Sequence, residues 1–325
     1  MQRLSKLGMA AALAVALAAP GAAQAQAACT WVTTDLPLAD GFSGIRVSGS
    51  SDNGEWVLGE GYHSQHQNAT VVWRDGVVHG VHPESAKVFD VNNSGTVVGM
   101  SDSLPFRIEN GVREQLEPAT GKTQAIASHI NNSGAAAGQS GPYSLYGPLL
   151  VWEPGSTTPR ELPGTRNGLV RFVKGFDDQG NVVAQEVGPL SRRISHVWDR
   201  NGNQTRLEPL PGDYSAYVES ISGGRIFGTS VHAEPLEGRT VVEWGLDGKI
   251  VRTIPELADV YDSNAAGEVL GQAAGDGVGL WRSPGEYVPV TADLWPDAVD
   301  ESGAVYGYGY RPGNDNQVPR YARCG

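Results

Sequence analysis

The sequence predicts an all-β fold, a seven-bladed β-propeller with four strands per blade. Three features predict it: a glycine turn, an aromatic residue before a second turn, and a proline, which recur seven times in this order. The turn glycines run from Gly54 to Gly303 in six steps, a mean period of about 41.5 residues. A period of this length with four short strands is typical of a propeller blade. An irregular β-sandwich or a β-solenoid is the alternative.

The first feature is a turn followed by a short apolar strand that ends on a small residue. Its clearest copy begins at Asn92 and Asn93 and ends at Gly99. Glycine adopts positive φ at little cost, and tight hairpins require this, so we expect a strand on each side of the turn. The equivalent turn glycines are Gly54, Gly95, Gly134, Gly180, Gly224, Gly267 and Gly303.

The second and third features predict the two outer strands of each blade. An aromatic residue precedes a second turn, which is a hairpin signal when β-formers flank it. A proline then closes the next strand, because proline lacks the backbone donor that a strand centre needs. The aromatic residues are Trp73, Phe106, Trp152, Trp198, Trp244, Trp281 and Tyr321. The prolines are Pro37, Pro83, Pro118, Pro163, Pro211, Pro255 and Pro289.

The order of the features also predicts how the ring closes. Pro37 has no aromatic strand before it, and Tyr321 has no proline strand after it. We therefore expect residues 30–36 to form the fourth strand of the last blade. The two cysteines of the chain, Cys29 and Cys324, flank that junction. In an exported protein such a pair predicts a disulfide, with two free thiols as the alternative.

The N-terminal residues 1–27 are typical of a secretory signal peptide, so residues 28–325 are expected to be a single propeller domain. Arg3 and Lys6 precede a short apolar run, which is followed by Pro20 and small residues. At about 13 residues the run is too short to span a bilayer. Cys29 raises the alternative of a lipoprotein, but the residues before it lack the aliphatic side chain of a lipobox. We expect a secreted, extracellular protein with no membrane association after cleavage.

The charge balance excludes one class of partner. The formal net charge is -12, and an acidic surface repels the phosphates of nucleic acids. The sequence also lacks the nucleophile-elbow, P-loop, EF-hand and zinc-protease motifs. No cofactor is expected.

The repeat unit resembles the HAF repeat of secreted bacterial proteins. The resemblance lies in the Asn92–Gly99 turn and strand and in the apolar-tryptophan hairpin that follows, and it extends over essentially all of residues 30–325. A Leu-Pro pair replaces the Leu-Gly of the strict HAF signature, so the chain is HAF-like. The resemblance implies an extracellular propeller and carries no catalytic residues, because the motif is structural.

Two clusters are candidates for chemistry. Four histidines, which suit zinc or copper, lie within twenty residues of the first blade: His63, His66, His79 and His82. Residues three apart on a strand point to opposite faces, so loop and edge polar roles are the alternative.

The second cluster lies five residues before the turn glycine in four repeats: Asp90, His129, Glu219 and Asp262. If this position lines the channel, the four side chains converge there and suit cation binding or acid–base work. Polar residues satisfied by neighbouring backbone are the alternative.

The sequence favours a non-catalytic binding or interaction module, expected to be a monomer with an extracellular carbohydrate or protein ligand. The alternative is an extracellular propeller enzyme, a lyase, lactonase or glycoside-active enzyme, with the acids and His129 at the channel mouth. Aromatic residues outside the repeated position, Trp31, Trp56, Trp295 and the tyrosines of 306–310, suit a sugar or peptide surface if exposed, and packing otherwise.

Overall fold

The structure, a computed structural model, describes residues 29–65, 67–141, 147–165, 170–187, 193–232, 238–311 and 313–325. These residues form seven antiparallel four-stranded sheets, which confirms the predicted propeller. The predicted signal peptide, residues 1–27, lies outside the described residues. No helix in the described part of the chain is long and apolar enough to cross a membrane.

Each blade is a meander whose first strand lies nearest the channel. Blade 1 contains β2 (Phe42–Ser50), β3 (Trp56–His63), β4 (Gln67–Arg74) and β5 (Val77–Pro83). Blade 2 follows a 3₁₀ turn at Glu84–Ala86 and contains β6 (Lys87–Val91), β7 (Val97–Ser101), β8 (Leu104–Glu109) and β9 (Val112–Gln115). Blade 3 contains β10 (Ala125–Ile130), β11 (Ala136–Ser140), β12 (Leu149–Trp152) and β13 (Arg160–Glu161).

The second half of the ring repeats this order. Blade 4 contains β14 (Val170–Phe176), β15 (Val182–Val187), β16 (Arg193–Trp198) and β17 (Gln204–Arg206). Blade 5 contains β18 (Asp213–Ser222), β19 (Arg225–His232), β20 (Arg239–Trp244) and β21 (Ile250–Thr253). Blade 6 contains β22 (Leu257–Ser263), β23 (Val269–Ala273), β24 (Val278–Ser283) and β25 (Glu286–Pro289). Blade 7 contains β26 (Trp295–Val299), β27 (Val305–Arg311), β28 (Asn314–Cys324) and, from the other end of the chain, β1 (Trp31–Asp35).

The ring closes as the sequence predicts. β1 pairs antiparallel with β28, from Trp31 opposite Cys324 to Asp35 opposite Arg320. Cys29 and Cys324 form a disulfide, and their Cα atoms are 5.3 Å apart. The Arg320 guanidinium also contacts the Asp35 carboxylate at 2.9 Å. The first and last segments of the domain are therefore joined by a strand pair, an ion pair and a covalent bond.

The repeated tryptophans fill the spaces between blades. Trp73, Trp152, Trp198, Trp244 and Trp281 are all buried. Four of them donate the indole N–H to a backbone carbonyl in the segment that leads into their blade: Trp73 to Pro37, Trp152 to Glu117, Trp198 to Pro163, and Trp244 to Glu208. The indole N–H of Trp281 has no hydrogen-bond partner among the described residues. The tryptophans thus stabilise the ring through packing and, in four blades, through one hydrogen bond each.

The loops of the ring define two faces. The turn between the first and second strands of every blade lies at one end of the channel, which we call the turn face. The hairpins between the second and third strands lie at the other end, which we call the loop face. The two faces differ in the side chains that they present, and both candidate sites are described relative to them.

Loss of the disulfide is expected to destabilise the ring strongly. The bridge joins residues 295 apart, so in the chain-entropy model it contributes about 5 kcal/mol as an upper figure. We expect the Cys29→Ala/Cys324→Ala variant to melt roughly 10 °C below the wild type in a calorimetric scan. Reducing agent should lower the wild-type Tm and leave that of the variant unchanged. Equal melting of the two proteins in oxidising buffer would contradict the closure role.

The tryptophan hydrogen bond is tested by a matched pair of substitutions. Trp244→Phe removes a buried ring edge and leaves the Glu208 carbonyl without its donor, whereas Trp281→Phe removes a similar volume and an N–H without a partner. We expect Trp244→Phe to lower the free energy of unfolding by about 1–3 kcal/mol more than Trp281→Phe does. Urea denaturation gives both values. If the two variants lose equal stability, packing alone accounts for the tryptophans.

Candidate functional site at the channel

A β-bulge interrupts the innermost strand at the equivalent place in every blade. The pairing register between the first and second strands shifts by one residue there, so one residue of the inner strand lacks an opposite partner. The bulge residues are Ser48, Phe89, Ser128, Lys174, Glu219, Tyr261 and Asp297. Side chains around the bulge line the channel, which places the sequence-predicted acid and histidine cluster at this level.

The structure brings the four predicted residues to one cavity. Asp90, His129, Glu219 and Asp262 line a space of about 280 Å³ on the loop-face side of the channel. Three of them follow the bulge by one residue, as expected from their spacing to the turn glycine. Glu219 occupies the bulge itself, and Ser220 is the true equivalent of Asp90.

The difference at Glu219 has a simple cause in the blade 5 turn. Ser222 pairs directly with Arg225, so Gly223 and Gly224 form a two-residue hairpin in which both have positive φ. In blade 2, by contrast, Asn92 donates to the carbonyl of Thr96, which leaves three residues between them. The blade 5 turn is therefore one residue shorter, and counting back from its glycine gives a position one residue too early.

Asp90 and Asp262 make the same set of hydrogen bonds in two different blades. Each carboxylate accepts the backbone N–H of the next residue, and its other oxygen accepts an N–H from the following blade. For Asp90 the donors are Val91 and Ile130, both at 2.8 Å. For Asp262 they are Ser263 at 2.8 Å and Val299 at 2.9 Å. The two carboxylates thus join blade 2 to blade 3 and blade 6 to blade 7.

The electrostatics of these carboxylates follow from their depth in the channel. Burial raises the pKa of the Asp90 carboxyl to about 7, against the opposing effect of its two backbone donors. Burial raises the pKa of the Asp262 carboxyl to about 7 in the same way. Burial, with the nearby Lys174 ammonium, lowers the pKa of His129 to about 4. His129 is therefore neutral at physiological pH, and its Nδ1 lies 2.9 Å from the Ser128 hydroxyl.

Two ion pairs join other blades at the same level. The Lys174 ammonium lies 2.5 Å from a Glu219 carboxylate oxygen, which links blades 4 and 5. The Arg46 guanidinium donates to both oxygens of Asp297, from Nη2 at 2.5 Å and from Nε at 3.1 Å, which links blades 1 and 7. The charged groups of the channel are thus arranged in contacts between blades.

The opposite mouth of the channel, at the turn face, is rich in acids and amides. Its cavity measures about 390 Å³, and Asp90 and Glu301 line both this cavity and the loop-face cavity. Asn132 donates from Nδ2 to Asp52 at 2.7 Å and to Asp178 at 2.9 Å. Burial, followed by the Asp178 charge, raises the pKa of Asp52. The amide of Asn132 therefore holds two carboxylates together across the mouth.

The three described members of the predicted histidine cluster, His63, His79 and His82, do not form a metal-binding group. His63 ends β3 and packs edge-on against Phe42, with 5.0 Å between ring centroids. His79 packs against Trp56, at the other end of β3, at 4.9 Å. Burial lowers the pKa of His82, and His66 lies outside the described residues.

The physical reason is that β3 extends as far as His63, which lies opposite Gln67 of β4. His63 and His79 consequently lie near opposite ends of the blade. Across the described ranges, no three His, Cys, Asp or Glu side chains are grouped so that they could hold a metal ion.

A ring of aromatic and charged residues surrounds the loop-face mouth and was largely missed from the sequence. All five strongly exposed aromatic residues of the described chain lie on inner strands above the channel or at the hairpins of this face: Tyr62, Phe172, Tyr261, Trp295 and Tyr310. The sequence singled out Trp295 and Tyr310 because they fall outside the repeated aromatic position. It gave no signal for Phe172 or for Tyr261, which occupies the bulge of its strand. Trp56 and Tyr306 are buried, so the packing alternative holds for them.

Comparison with known proteins places the chain in the class of β-propellers and no further. No protein-family model matches it, and no curated protein matches it. Solved structures with the same fold include one of the mitotic checkpoint complex, at 12% identity and a TM-score of 0.55, covering 97% of this chain and 100% of that one. The WD40 domain of Toxoplasma gondii coronin matches at 11% identity and a TM-score of 0.53, covering 91% and 87%.

Structural neighbours also include enzymes. A gluconolactonase from Xanthomonas campestris matches at 12% identity and a TM-score of 0.44, covering 90% of this chain and 89% of that one. Identities this low show the shared fold alone, and a fold hosts many functions. The function must therefore be argued from the residues of this chain.

The two channel aspartates are expected to make stability depend on pH. Their pKa values rise from the ordinary 3.8 to about 7 on folding, so the folded protein binds these protons more tightly than the unfolded chain. Each group should therefore lower stability as pH rises from about 4 to about 7, by up to about 1.4 kcal/mol per pH unit. Folding lowers the pKa of His129, so this group makes stability rise with pH over part of the same range.

Comparison with a variant isolates the aspartate contribution. We expect Asp90→Asn/Asp262→Asn to remove that decline from the pH profile of unfolding free energy, measured by urea denaturation between pH 4 and 8. Asp75→Asn, at an exposed turn outside the channel, serves as the control and should keep the wild-type slope. An unchanged slope in the double variant would show that the channel does not raise these pKa values.

Proposed function

We propose that the chain is a secreted, non-catalytic binding module of the HAF-like type, whose extracellular ligand is a carbohydrate or a protein bound on the loop face. The signal-like N-terminus and the Cys29–Cys324 disulfide support export, since disulfides persist in oxidising compartments. The chain is acidic, which is not typical of a nucleic-acid-binding protein and agrees with this proposal. We expect the protein to act as a monomer.

The exposed aromatic residues of the loop face carry the proposal. Trp295 is 56% exposed and Tyr62 is 61% exposed. Aromatic side chains of this size are enriched where one molecule binds another, because they offer a large contact area at a small entropic cost. Exposed large aliphatic residues of the described chain are instead on outer strands or turns, as Val77 on β5 and Val112 on β9 are. The loop face therefore differs chemically from the rest of the surface.

The bonding of the channel acids argues for a structural role. Asp90 and Asp262 each accept two backbone N–H groups in the same geometry. Glu219 is neutralised by Lys174. A catalytic acid or base exchanges its proton with a substrate, whereas each carboxylate oxygen of Asp90 and Asp262 already accepts a backbone N–H, and one of the two donors comes from the next blade in each case.

One observation favours the alternative of an extracellular lyase, lactonase or glycoside-active enzyme. The four candidate residues share one cavity, and two carboxyls with pKa values near 7 match the range in which general acids and bases work. The two proposals separate experimentally, because they assign the activity to different residues.

The test is retention of the protein on material from a culture of its source. Wild-type protein and three variants are incubated with isolated cell-wall material and with immobilised secreted proteins, and the bound fraction is measured. We expect Trp295→Ala/Tyr310→Ala to lose most of the retention, and Val77→Ala/Val112→Ala, which removes equally exposed apolar side chains elsewhere, to keep it. Asp90→Asn/Asp262→Asn should also keep it at neutral pH.

Two results would contradict the proposal. One is full retention by the Trp295→Ala/Tyr310→Ala variant. The other is turnover of the bound material, seen as released soluble product, that the Asp90→Asn/Asp262→Asn variant loses while its melting temperature stays above the assay temperature. The second result would establish the enzyme alternative.

A further inference from the structure

The surface where blade 7 meets blade 1 holds a group of aromatic and polar side chains on the loop face. We call it the Arg46 groove and define it by Arg46, Tyr62, Trp295, Asp297 and Tyr308. It deepens the proposed function, on which it rests, by indicating a class of ligand.

The blade 7 side of the groove presents aromatic rings. Trp295 and Tyr308 are directly opposite each other in the β26–β27 ladder, so their side chains share one face of the sheet. Tyr310 lies two residues further along β27 on the same face, and its ring is edge-on to that of Tyr308, with 6.0 Å between centroids. Both Trp295 and Tyr310 are exposed. Their rings therefore extend along the groove rather than into the core.

Arg46 connects this side to blade 1. Its guanidinium lies 5.3 Å from the centroid of the Tyr308 ring and is held by Asp297 through two N–H groups. The pairing fixes a planar, hydrogen-bonding group beside the rings and neutralises its charge. A fixed guanidinium loses less side-chain entropy on binding a ligand than a free one does.

The blade 1 side contains a cavity of about 340 Å³, which Arg46 also lines. Tyr62 supplies its aromatic surface, and Asn68 and Gln317 supply amides. The remaining charges are again paired, since the Lys87 ammonium lies 3.0 Å from the Glu60 carboxylate. The volume is within the ordinary range for small-molecule sites, about 300–1,000 Å³.

The chemistry of the groove favours a neutral, hydroxyl-rich ligand with flat apolar faces. Each positive charge named above has a carboxylate partner, and the whole chain carries a net charge of -12. An anionic ligand would have to displace those carboxylates. Aromatic residues and arginine also occur in protein interfaces, but the exposed aliphatic residues of the described chain lie outside the groove, so it offers rings and paired polar groups without a wider apolar patch.

We infer that the Arg46 groove binds a neutral oligosaccharide of pyranose units. The C–H face of one sugar stacks on Trp295 or Tyr308, and that of another stacks on Tyr62. The hydroxyl groups exchange hydrogen bonds with the paired Arg46 and Asp297 and with the amides of the cavity. Binding is non-covalent, so the sugar is released unchanged.

The test is affinity electrophoresis in gels that contain one polysaccharide each. The neutral probes are soluble β-1,3-glucan, hydroxyethyl cellulose, galactomannan and xyloglucan, and the anionic probes are polygalacturonate and heparin. We expect retardation of the wild type by at least one neutral probe and by neither anionic probe. The Kd for that probe should rise about tenfold or more in Tyr62→Ala and in Trp295→Ala, the loss of about 1.4 kcal/mol that a stacking contact represents.

Matched variants separate a binding role from a folding role. Tyr62→Phe keeps the ring and should bind within about threefold of the wild type, whereas Tyr62→Ala should not. Arg46→Gln removes the guanidinium and should weaken binding as Trp295→Ala does. Val77→Ala should leave the Kd unchanged. The melting temperature of each variant is measured, and Tyr62→Phe against Tyr62→Ala remains decisive if Trp295→Ala is unstable.

The inference is overturned by retardation in anionic gels only, by no retardation in any gel, or by retardation that Tyr62→Ala and Trp295→Ala leave unchanged. Retention of a secreted protein that depends on Trp295, with no polysaccharide binding, overturns the inference and leaves the proposed function standing. If the protein releases reducing ends from a neutral probe and Asp90→Asn/Asp262→Asn abolishes this release, the non-catalytic function is overturned. The Kd values of the groove variants still decide whether the Arg46 groove binds the sugar.

Discussion

The hydrogen bonds between neighbouring turns are the constraint on which the rest of the structure depends. A blade is a twisted sheet with two apolar faces, and it can bury both only if it has a neighbour on each side. At the turn face a hydrogen bond crosses every one of the seven joints. In order around the ring, Asn53 donates to Asn93, Asn92 to Asn131, Asn131 to Asp177, Gly224 to Asp177, Arg225 to Ala266, Asn264 to Asp300, and Glu301 to Asp52. The repeated turn is therefore a connector as well as a hairpin.

The same side chain performs both tasks within one turn. The Asn92 Oδ1 accepts from the backbone N–H groups of Ser94 and Thr96, which fixes the turn, while its Nδ2 donates to the carbonyl of Asn131 in the next blade. An amide has both an acceptor and two donors, which suits asparagine to this position in three of the seven turns, at Asn92, Asn131 and Asn264. The joints at the turn face, in the channel and at the tryptophans together make the ring rigid. The exposed side chains of the loop face take no part in these joints.

The sequence predicted the fold well because the features that specify it are local and repeated. A turn glycine, an aromatic residue and a proline each constrain a few residues, and seven copies leave little freedom in how the strands are assigned. Closure by β1 followed from the same order, since one feature was missing at each end. The spacing to the turn glycine is one residue shorter in blade 5, where a hairpin of two residues places Glu219 at the bulge, and His63 lies at the end of a strand.

The sequence indicated where the candidate residues lie and left two roles open for them. The spacing to the turn glycine located Asp90 and Asp262 at the channel, yet their partners Ile130 and Val299 come from the following blades. The sequence alone does not show which backbone N–H of the neighbouring inner strand faces each carboxylate. The Arg46 groove was harder still to predict, since Arg46 and Asp297 are 251 residues apart.

We propose that ligands bind at the loop face while the channel acids hold the blades together. Amide hydrogen exchange measured by mass spectrometry, with and without a neutral glycan that retards the protein, separates these two roles. We expect slower exchange on binding in peptides that contain Tyr62, Trp295 and Tyr308, and unchanged exchange in the turn-face peptides around Asn92 and Asn131. Protection confined to the channel peptides around Asp90 and Asp262, with none at the Arg46 groove, would contradict it.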